Sequence, residues 1–351
     1  MTRIARRTRS TTAALLLVAC QRAGDTAGGT TSDSVGNNVG ASVSNDATNG
    51  ATLSPTSWCA KIPRPENTRF RRVVVPGGWH EVYRVEPGVF AITEPRQFQE
   101  AISYLIVGDS SALLFDSGIG LVPLAPVVKA LTSLPVRVLN SHSHFDHVGA
   151  NHEFAEVLAP DLPFTRGNEG GTPHGDLADE VVPSAFCGAP PMSADTAAFR
   201  SRSWRVSRRV AVGDTLSLGG RVLEILAAPG HTPDAIVLLD RSNGLLFTGD
   251  TFYESQLWFF AAETDLAAYE ATMNRLAALA PSLRRVLPAH NTVSAAPSRL
   301  ADVAAAVRVL REGGGVRVVN GDGVRETVTV GDVRFLVRRA PSAPPATPRP
   351  Q

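Results

Sequence analysis

Short apolar runs separated by turn residues fill the middle of this chain, and they predict two series of β-strands. Within a run, apolar and polar positions alternate or the run is apolar throughout, which is typical of strands buried on one or both faces. The predicted strands of the first series are 82–85, 89–92, 102–107, 112–115 and 136–139. A helix is predicted over residues 121–134, because Leu124, Val127, Val128 and Leu131 recur at a spacing that places them on one helical face.

The second half of the chain repeats this order of elements. Strands are predicted at 215–218, 221–227, 235–239 and 245–248, followed by a helix over 266–280 and a strand that ends before His290. Because the two halves are similar, the pattern predicts an α/β fold in which two sheets pack as a sandwich with helices on the outside. The region between the polar ends of the chain is long enough for one such domain with a full core.

Histidine and aspartate side chains gather just after these strands. The segment His142-Ser143-His144-Phe145-Asp146-His147 follows strand 136–139, and loops after later apolar runs carry His231, Asp250 and His290. A lone histidine is more often a half-buried ring with a hydrogen-bond partner, but five of the eight histidines fall into this pattern. Closely spaced His and Asp residues, joined by further His and Asp residues on other loops, are what a two-zinc site requires. The sequence therefore predicts a site for two metal ions.

These residues, in this order, resemble the signature of the metallo-β-lactamase superfamily, which includes glyoxalase II, lactonases, nuclease relatives and the lactamases themselves. The resemblance covers most of residues 70 to 335. It implies the αββα sandwich of that superfamily, with the metal site at one edge of the sheets, and two Zn²⁺ ions per chain or other divalent metals in their place. By this resemblance one ion is held by His142, His144 and His231, the other by Asp146, His147 and His290, and Asp250 bridges both.

Two positions indicate a branch of the superfamily. Asp250 stands where the zinc lactamases of the best-known subclass carry a cysteine, and His144 stands where oxygen-reducing di-iron relatives usually carry a glutamate. The resemblance thus favours a zinc-dependent hydrolase of an ester, thioester or lactone, in which a hydroxide between the ions attacks a small-molecule substrate. A β-lactamase and a metal-binding lipoprotein without turnover are the alternatives.

Two residues are predicted to take part directly in catalysis. Asp146 could orient the nucleophile and accept a proton while it binds metal. Tyr253 lies three positions after Asp250, a spacing that resembles the lactonase branch, in which such a tyrosine hydrogen-bonds the reacting carbonyl. The alternative for Tyr253 is an aromatic ring packed beneath the loop.

The surroundings of the motif leave several roles open. Asp116 follows strand 112–115 and either accepts a hydrogen bond from a ligand imidazole or is a plain turn residue. The residues that either line an apolar pocket or belong to the core are Phe145, Trp258, Phe259 and Phe260.

A long insertion rich in proline and glycine, residues 160–208, separates the two halves and is expected to act as a lid or binding loop. His174 within it is expected to face solvent. His80 and His152 are interpreted as structural.

The N-terminal region resembles that of a bacterial lipoprotein. Residues 1–20 combine arginines with a short apolar stretch, and Leu17-Val18-Ala19-Cys20 is similar to the lipoprotein cleavage box, which implies lipid on Cys20; an ordinary signal peptide is the alternative. Residues 21–57 contain almost no large apolar side chain and are predicted to form a disordered tether. The catalytic domain would then span 58–338, and residues 339–351 would form a disordered tail. This organisation predicts a protein of the bacterial cell envelope that is anchored to the membrane.

Charge and cysteine content add two expectations. The net charge is only +1, so nothing predicts a surface for nucleic acid. With Cys20 lipidated, Cys59 and Cys187 remain, and they either form one disulfide or stay as two buried thiols. The oligomeric state cannot be derived from these features.

Overall fold

The computed structural model describes residues 58–339. The predicted signal peptide with its lipidated Cys20, the tether over 21–57 and the tail beyond residue 339 lie outside the described residues, so these remain predictions. No helix within 58–339 combines the length and the apolar character needed to cross a bilayer.

Strands and helices alternate along the described chain. The strands are β1 Arg71–Val73, β2 Glu81–Glu86, β3 Val89–Thr93, β4 Ile102–Val107, β5 Ala112–Phe115, β6 Val136–Leu139, β7 Val157–Pro160, β8 Arg208–Val210, β9 Thr215–Ser217, β10 Val222–Ala227, β11 Ile236–Asp240, β12 Leu245–Gly249, β13 Gln256–Phe259, β14 Arg285–Pro288, β15 Val316–Val319, β16 Arg325–Val330 and β17 Val333–Arg338. The helices are α1 Pro65–Thr68, α2 Ala125–Leu131, α3 Phe145–Val148, α4 Pro163–Asn168, α5 His174–Leu177, α6 Leu266–Leu279 and α7 Arg299–Arg311.

The strands form three sheets. Strands β1 to β8 make an eight-stranded sheet in sequence order, in which β5 to β8 run parallel. The second sheet has the order β14-β12-β11-β10-β9, with β12 and β14 parallel. A smaller third sheet has the order β13-β17-β16-β15.

Strand alternation distributes apolar side chains between layers. On β5, Leu113 and Phe115 pack with Leu238 and Phe247 in a core between the first two sheets. Their neighbours Ala112 and Leu114 belong to a separate core with residues of α2. The other face of the second sheet packs against α6, α7 and the third sheet. The described chain therefore has the mixed α/β, layered αββα arrangement that the sequence predicts, with a third sheet added.

The predicted strands of both halves are present, with ends that shift by a residue or two. The helix predicted over 121–134 is shorter, Ala125–Leu131, because Pro126 is tolerated only in the first turn and Pro135 favours extended backbone at the preceding residue. The third sheet and α7 were not predicted. Strands β15 to β17 pair as consecutive antiparallel strands, and β13, which is distant in sequence, joins them by parallel pairing with β17.

Candidate metal centre

The strands deliver the predicted site residues to one edge of the two main sheets. Strand β6 leads into the segment that begins at His142, β12 ends next to Asp250, and β14 ends two residues before His290. Parallel strands such as β12 and β14 end at the same edge of a sheet, so their following loops are neighbours. His231 lies on the loop between β10 and β11. All seven predicted ligands meet here and, apart from the half-buried His144, are buried.

A glycine allows the two halves of the site to approach each other. Gly249, just before Asp250, has φ +52°, and a Cβ added there would lie 2.3 Å from Cβ of Ser141, next to His142. Any larger residue would push the two ligand loops apart. The amide of Ile236 also donates to Ser141 O at 2.8 Å, which joins the sheets at this point.

Three histidine nitrogens converge at one position. Nδ1 of His144 lies 3.0 Å from Nε2 of His142 and 3.1 Å from Nε2 of His231. Zinc–nitrogen bonds of about 2.0–2.1 Å in tetrahedral geometry separate ligand nitrogens by about 3.3 Å, so these distances fit one ion.

A second group lies beside the first. The ligand atoms of Asp146, His147 and His290 all lie within 4.8 Å of one another. Asp250 faces both groups, because its Oδ1 is 2.9 Å from Nε2 of His290 and its Oδ2 is 3.5 Å from Nε2 of His231. This carboxylate stands where a bridge between two ions would stand.

The opposite nitrogen of His144 is held by an acidic residue that sequence reasoning missed. Nε2 of His144 lies 3.0 Å from Oε1 of Glu263, and this hydrogen bond holds the pKa of the Glu263 carboxyl below its usual range. When Nε2–H donates this hydrogen bond to the carboxylate, Nδ1 of the neutral His144 ring carries a lone pair that points at the other histidines.

The other four histidines are oriented in the same way. Nδ1 of His231 donates to the carbonyl of Trp258 at 3.0 Å, and Nδ1 of His290 donates to the carbonyl of Gln99 at 2.6 Å. Nδ1 of His147 lies 3.1 Å from Oδ2 of Asp116, and Nδ1 of His142 lies 3.0 Å from the Ser141 hydroxyl. The predicted contact of Asp116 with a motif imidazole is thus present, and Asp116 holds it from a left-handed backbone with φ +64°. Each ring presents its remaining nitrogen to the site.

These tautomers leave lone pairs facing one another. In the neutral rings, Nε2 of His231 carries a lone pair when its Nδ1 donates to a carbonyl, and Nδ1 of His144 carries one when its Nε2 donates to Glu263. The two lone pairs are 3.1 Å apart, an arrangement that is repulsive unless a cation lies between them. In addition, Nε2 of His147 and Oδ1 of Asp250 are buried without a hydrogen-bond partner. The donor set therefore fits divalent metal ions of the imidazole and carboxylate type.

Opposite shifts of pKa mark the two groups. Burial lowers the pKa of His231 to about 4 and that of His142 well below its usual value. Burial alone would also lower the pKa of His147, but the carboxylates of Asp146 and Asp250 raise it well above its usual value. For Asp250, burial is outweighed by His290 and His147, which hold its pKa well below the usual range. The aspartates are therefore ionised, and the site attracts positive charge.

The loop that carries His290 is fixed by an ion pair from the start of the domain. Arg64 donates from Nε and Nη2 to the Glu100 carboxylate, both at 2.6 Å, and Asn291 Nδ2 donates to Glu100 Oε1 at 3.2 Å. Glu100 and Asn291 both have positive φ and flank Gln99 and His290 in sequence. Their strained backbone is held by this network.

Hydroxyl groups connect the insertion to the ligand loops through one buried carboxylate. Ser143 donates to Asp234 Oδ2 at 2.6 Å, Thr165 donates to the same oxygen at 2.9 Å, and Thr232 donates to Oδ1 at 2.7 Å. Asn168 Nδ2 completes the network with a bond of 2.9 Å to the Ser143 hydroxyl. The insertion is thereby held against the site.

A cleft of about 500 Å³ opens over the predicted ligands. Phe145, Trp258 and Phe260 line it as expected, but Phe259 does not, because it is buried against Tyr269 with ring centroids 4.3 Å apart. The insertion also contributes lining residues, which are Phe164, Asn168, Thr172, Asp176, Leu177 and Glu180. Whether the insertion moves as a lid remains a prediction.

Tyr253 lines this cleft although it is buried. Its ring centroid lies 5.2 Å from that of His290, and its hydroxyl accepts a hydrogen bond from the backbone of Trp258. Burial raises the pKa of this phenol well above its usual value, so it stays protonated. This position is compatible with both interpretations of Tyr253, a hydrogen-bond donor to the reacting carbonyl and a ring packed beneath the loop. The two differ in whether the hydroxyl takes part in the reaction.

The remaining histidines lie elsewhere. Nδ1 of His152 donates to Gly149 O at 3.0 Å, and His80 is buried. His174 is half-buried instead of facing solvent, because its Nδ1 donates to Phe199 O at 2.9 Å. It does not line the cleft.

Cys59 and Cys187 form a disulfide, which decides between the two alternatives for this pair. The bond links the start of the domain to the insertion across 128 residues of sequence.

Residues 101–290 match the model of the Metallo-beta-lactamase superfamily, and the chain belongs to this superfamily. Acyl-coenzyme A thioesterase MBLAC2 of Gallus gallus is 30% identical over 228 residues, which are 58% of this chain and 77% of the relative. Hydroxyacylglutathione hydrolase of Rippkaea orientalis is 29% identical over 136 residues, 36% of this chain and 41% of the relative. A solved structure, metallo-beta-lactamase from Pontibacter korlensis, matches with a TM-score of 0.47 and 19% identity, covering 65% of this chain and 99% of that one.

Proposed function

We propose that this protein is a zinc-dependent hydrolase with two metal ions, and that within the class of esters, thioesters and lactones it cleaves a thioester bond. The observation that carries the metal assignment is the pair of histidine lone pairs facing each other at 3.1 Å, with every ring oriented by an outside partner. Support for a thioester comes from the relatives, since an acyl-coenzyme A thioesterase and a hydroxyacylglutathione hydrolase both act on such bonds by their names.

In this proposal, His142, His144 and His231 would hold one ion, Asp146, His147 and His290 would hold the other, and Asp250 lies within reach of both groups. When bound, such ions lower the pKa of water and polarise a carbonyl oxygen. The residues that hydrogen-bond the far nitrogen of each histidine ring, such as Glu263 and Asp116, would keep the rings in the orientation and tautomer that metal binding needs.

The chain's own residues would manage the protons. Burial alone would raise the pKa of Asp146, but His147 and His290 hold it below its usual range, so the carboxylate is ionised and can accept a proton. Hydrolysis forms a bond from water oxygen to the carbonyl carbon and breaks the bond from that carbon to sulfur. Asp146 takes the proton from water and returns it to the departing thiolate.

Tyr253 would stabilise the carbonyl oxygen as it becomes negative. Because the backbone of Trp258 already donates to the phenol oxygen, the hydroxyl proton of Tyr253 is available for another acceptor. If this hydroxyl points at the carbonyl oxygen of the substrate, it donates a hydrogen bond to that oxygen as negative charge develops on it.

A panel of purified substrates tests the reaction class. Zinc-loaded protein should hydrolyse simple thioesters, with esters and lactones as weaker substrates and β-lactams far behind in kcat/KM. Removal of metal by a chelator should abolish turnover, and zinc should restore it. A cephalosporin or carbapenem as the best substrate would replace the proposal with a β-lactamase.

We further propose that the protein acts in the bacterial cell envelope, anchored by lipid on Cys20. The disulfide between Cys59 and Cys187 supports an oxidising compartment, where such bonds persist.

A further inference from the structure

The cleft over the metal centre combines aromatic and acidic side chains. Aromatic rings of Phe145, Phe164, Trp258 and Phe260 form much of its wall. Trp258 and Phe260 lie with ring centroids 5.7 Å apart, and Phe164 contacts the His144 ring at 5.9 Å. Such rings can accept both an apolar group and a cation.

Three carboxylates line this cleft in addition to the two predicted ligand aspartates. Asp176 is exposed, Glu263 is about three-quarters buried beside His144, and Glu180 accepts from Gln99 Nε2 at 3.2 Å. Among the described residues, no lysine or arginine lines the cleft. Phosphate and carboxylate groups are recognised in proteins mainly by those two residue types, so an anionic substrate group would find no cationic side chain in the lining.

Two arginines do contact Phe260, but both are engaged. Arg325 lies over the ring at 5.0 Å and pairs with Asp322, and Arg338 Nε donates to the Phe260 carbonyl at 3.2 Å. Both arginines are therefore engaged by other residues of the protein, and neither adds positive charge to the cleft lining.

The size of the cleft limits what it can enclose. Its volume of about 500 Å³ lies in the range of pockets that hold small-molecule ligands. A leaving group as large as coenzyme A would bring its phosphates past these acidic walls, where no lysine or arginine of the cleft lining can pair with them.

We propose that the substrate of this cleft is a compact thioester whose leaving group carries a positive charge, such as a quaternary ammonium, and that polyanionic carriers such as coenzyme A are poor leaving groups here. This assignment rests on the proposed thioester hydrolysis and narrows its substrate class. The aromatic walls surround the ammonium, and Asp176, Glu180 and Glu263 supply the opposite charge.

Three butyryl thioesters test whether the charge of the leaving group or its shape determines the preference of the cleft. The thiocholine ester carries the ammonium, the 3,3-dimethylbutanethiol ester is its uncharged isostere, and the coenzyme A ester carries the phosphates. Zinc-loaded full-length protein is assayed at pH 8, because burial raises the pKa of Glu180 to about 7 and the group is mostly ionised above that. Each kcat/KM is divided by the hydroxide-catalysed rate of the same ester. The thiocholine ester should exceed its isostere about five- to tenfold, and the coenzyme A ester should fall below the isostere.

A matched pair of variants tests the source of the preference. Asp176→Asn removes a carboxylate from the cleft wall and should lower the ratio of thiocholine to isostere about two- to fivefold. Asp195→Asn removes the same charge from another exposed side chain of the insertion that does not line the cleft, and it should leave the ratio unchanged.

The outcomes separate the two proposals. A coenzyme A ester at or above the isostere, or a thiocholine ester at or below it, would overturn the leaving-group assignment while leaving thioester hydrolysis intact. Equal ratios in the two variants would remove Asp176 from the recognition and overturn the electrostatic part of the assignment. No turnover of any of the three esters by zinc-loaded protein would overturn thioester hydrolysis itself.

Discussion

Oε1 of Glu263 lies 3.0 Å from Nε2 of His144, and this contact decides which nitrogen of the ring faces the site. The two residues are 119 positions apart in sequence, on loops from different halves of the fold. When Nε2–H donates to the carboxylate, Nδ1 faces Nε2 of His142 and Nε2 of His231. The distances from Nδ1 to these two nitrogens are close to the separation of nitrogen ligands on one zinc ion. Glu263 is thus placed to orient His144 in the proposed metal centre.

Glu263→Gln should weaken zinc binding at the three-histidine site. The amide can present its nitrogen instead of an oxygen to His144 and carries no charge, so the tautomer is held less firmly, and losses of about 10- to 100-fold in metal affinity are typical of such partners. Competition with a chromophoric chelator measures the change. The exposed Glu312→Gln is the control and should bind zinc like wild type. Wild-type affinity in Glu263→Gln would show that the contact has no role in holding metal.

Tyr253→Phe should lower kcat more than it raises KM. The substitution keeps the ring and removes only the donor whose hydrogen bond strengthens as the carbonyl oxygen gains charge. A charge-assisted bond of roughly 1.5–3 kcal/mol corresponds to about ten- to hundredfold in rate. Steady-state kinetics on the best thioester, with Tm and zinc content as controls, checks this. Full kcat with a clear fall in Tm would assign the hydroxyl to packing alone.

The clustering of the proposed ligands was predictable because their spacing is local or follows strand ends. His142, His144, Asp146 and His147 occupy six residues after a strand, and alternation of apolar positions identifies that strand without any tertiary information. The core position of Phe259 was not predictable, since the sequence does not show which face of β13 its two aromatic residues occupy. Strand alternation buries Phe259 against Tyr269 and turns Trp258 to the cleft, and Phe260 lines the cleft from the position just after the strand.

The residues that orient the site were harder to predict. Glu263, Gln99 and the pair of Arg64 with Glu100 reach the ligands only through tertiary approach, and a glutamate or arginine in a loop is usually a solvated side chain. Asp116 was accessible because it directly follows a strand at the same edge. The disulfide depended on geometry that spacing does not contain.

His80 should make stability depend on pH below neutrality. Burial lowers its pKa from 6.5 to about 4, so the unfolded chain binds this proton first as pH falls. The contribution of neutral His80 to the free energy of unfolding is therefore fully present above pH 6.5 and is lost as pH falls through 4. The total loss is about 3 kcal/mol. Urea unfolding of metal-free protein across this range should show a shallower pH dependence for His80→Gln than for wild type. An unchanged slope in His80→Gln would contradict the assignment.

Lipid on Cys20 should place the protein in the membrane fraction of a bacterial host. Cys20→Ser removes the thiol to which lipid would attach, and the variant should be released or left unprocessed. Fractionation with mass spectrometry of the mature N-terminus measures both. Soluble wild-type protein cleaved at another residue would indicate an ordinary signal peptide.

The number of zinc ions bound tests the central claim most directly. Metal-free protein titrated with zinc, with elemental analysis after desalting and thioesterase activity followed in parallel, should bind about two ions per chain and reach full activity only with the second. His147→Ala should retain about one ion, whereas His152→Ala, which lies outside the site, should keep both. Full activity with a single ion in wild type, or in metal-free protein, would contradict the two-metal account.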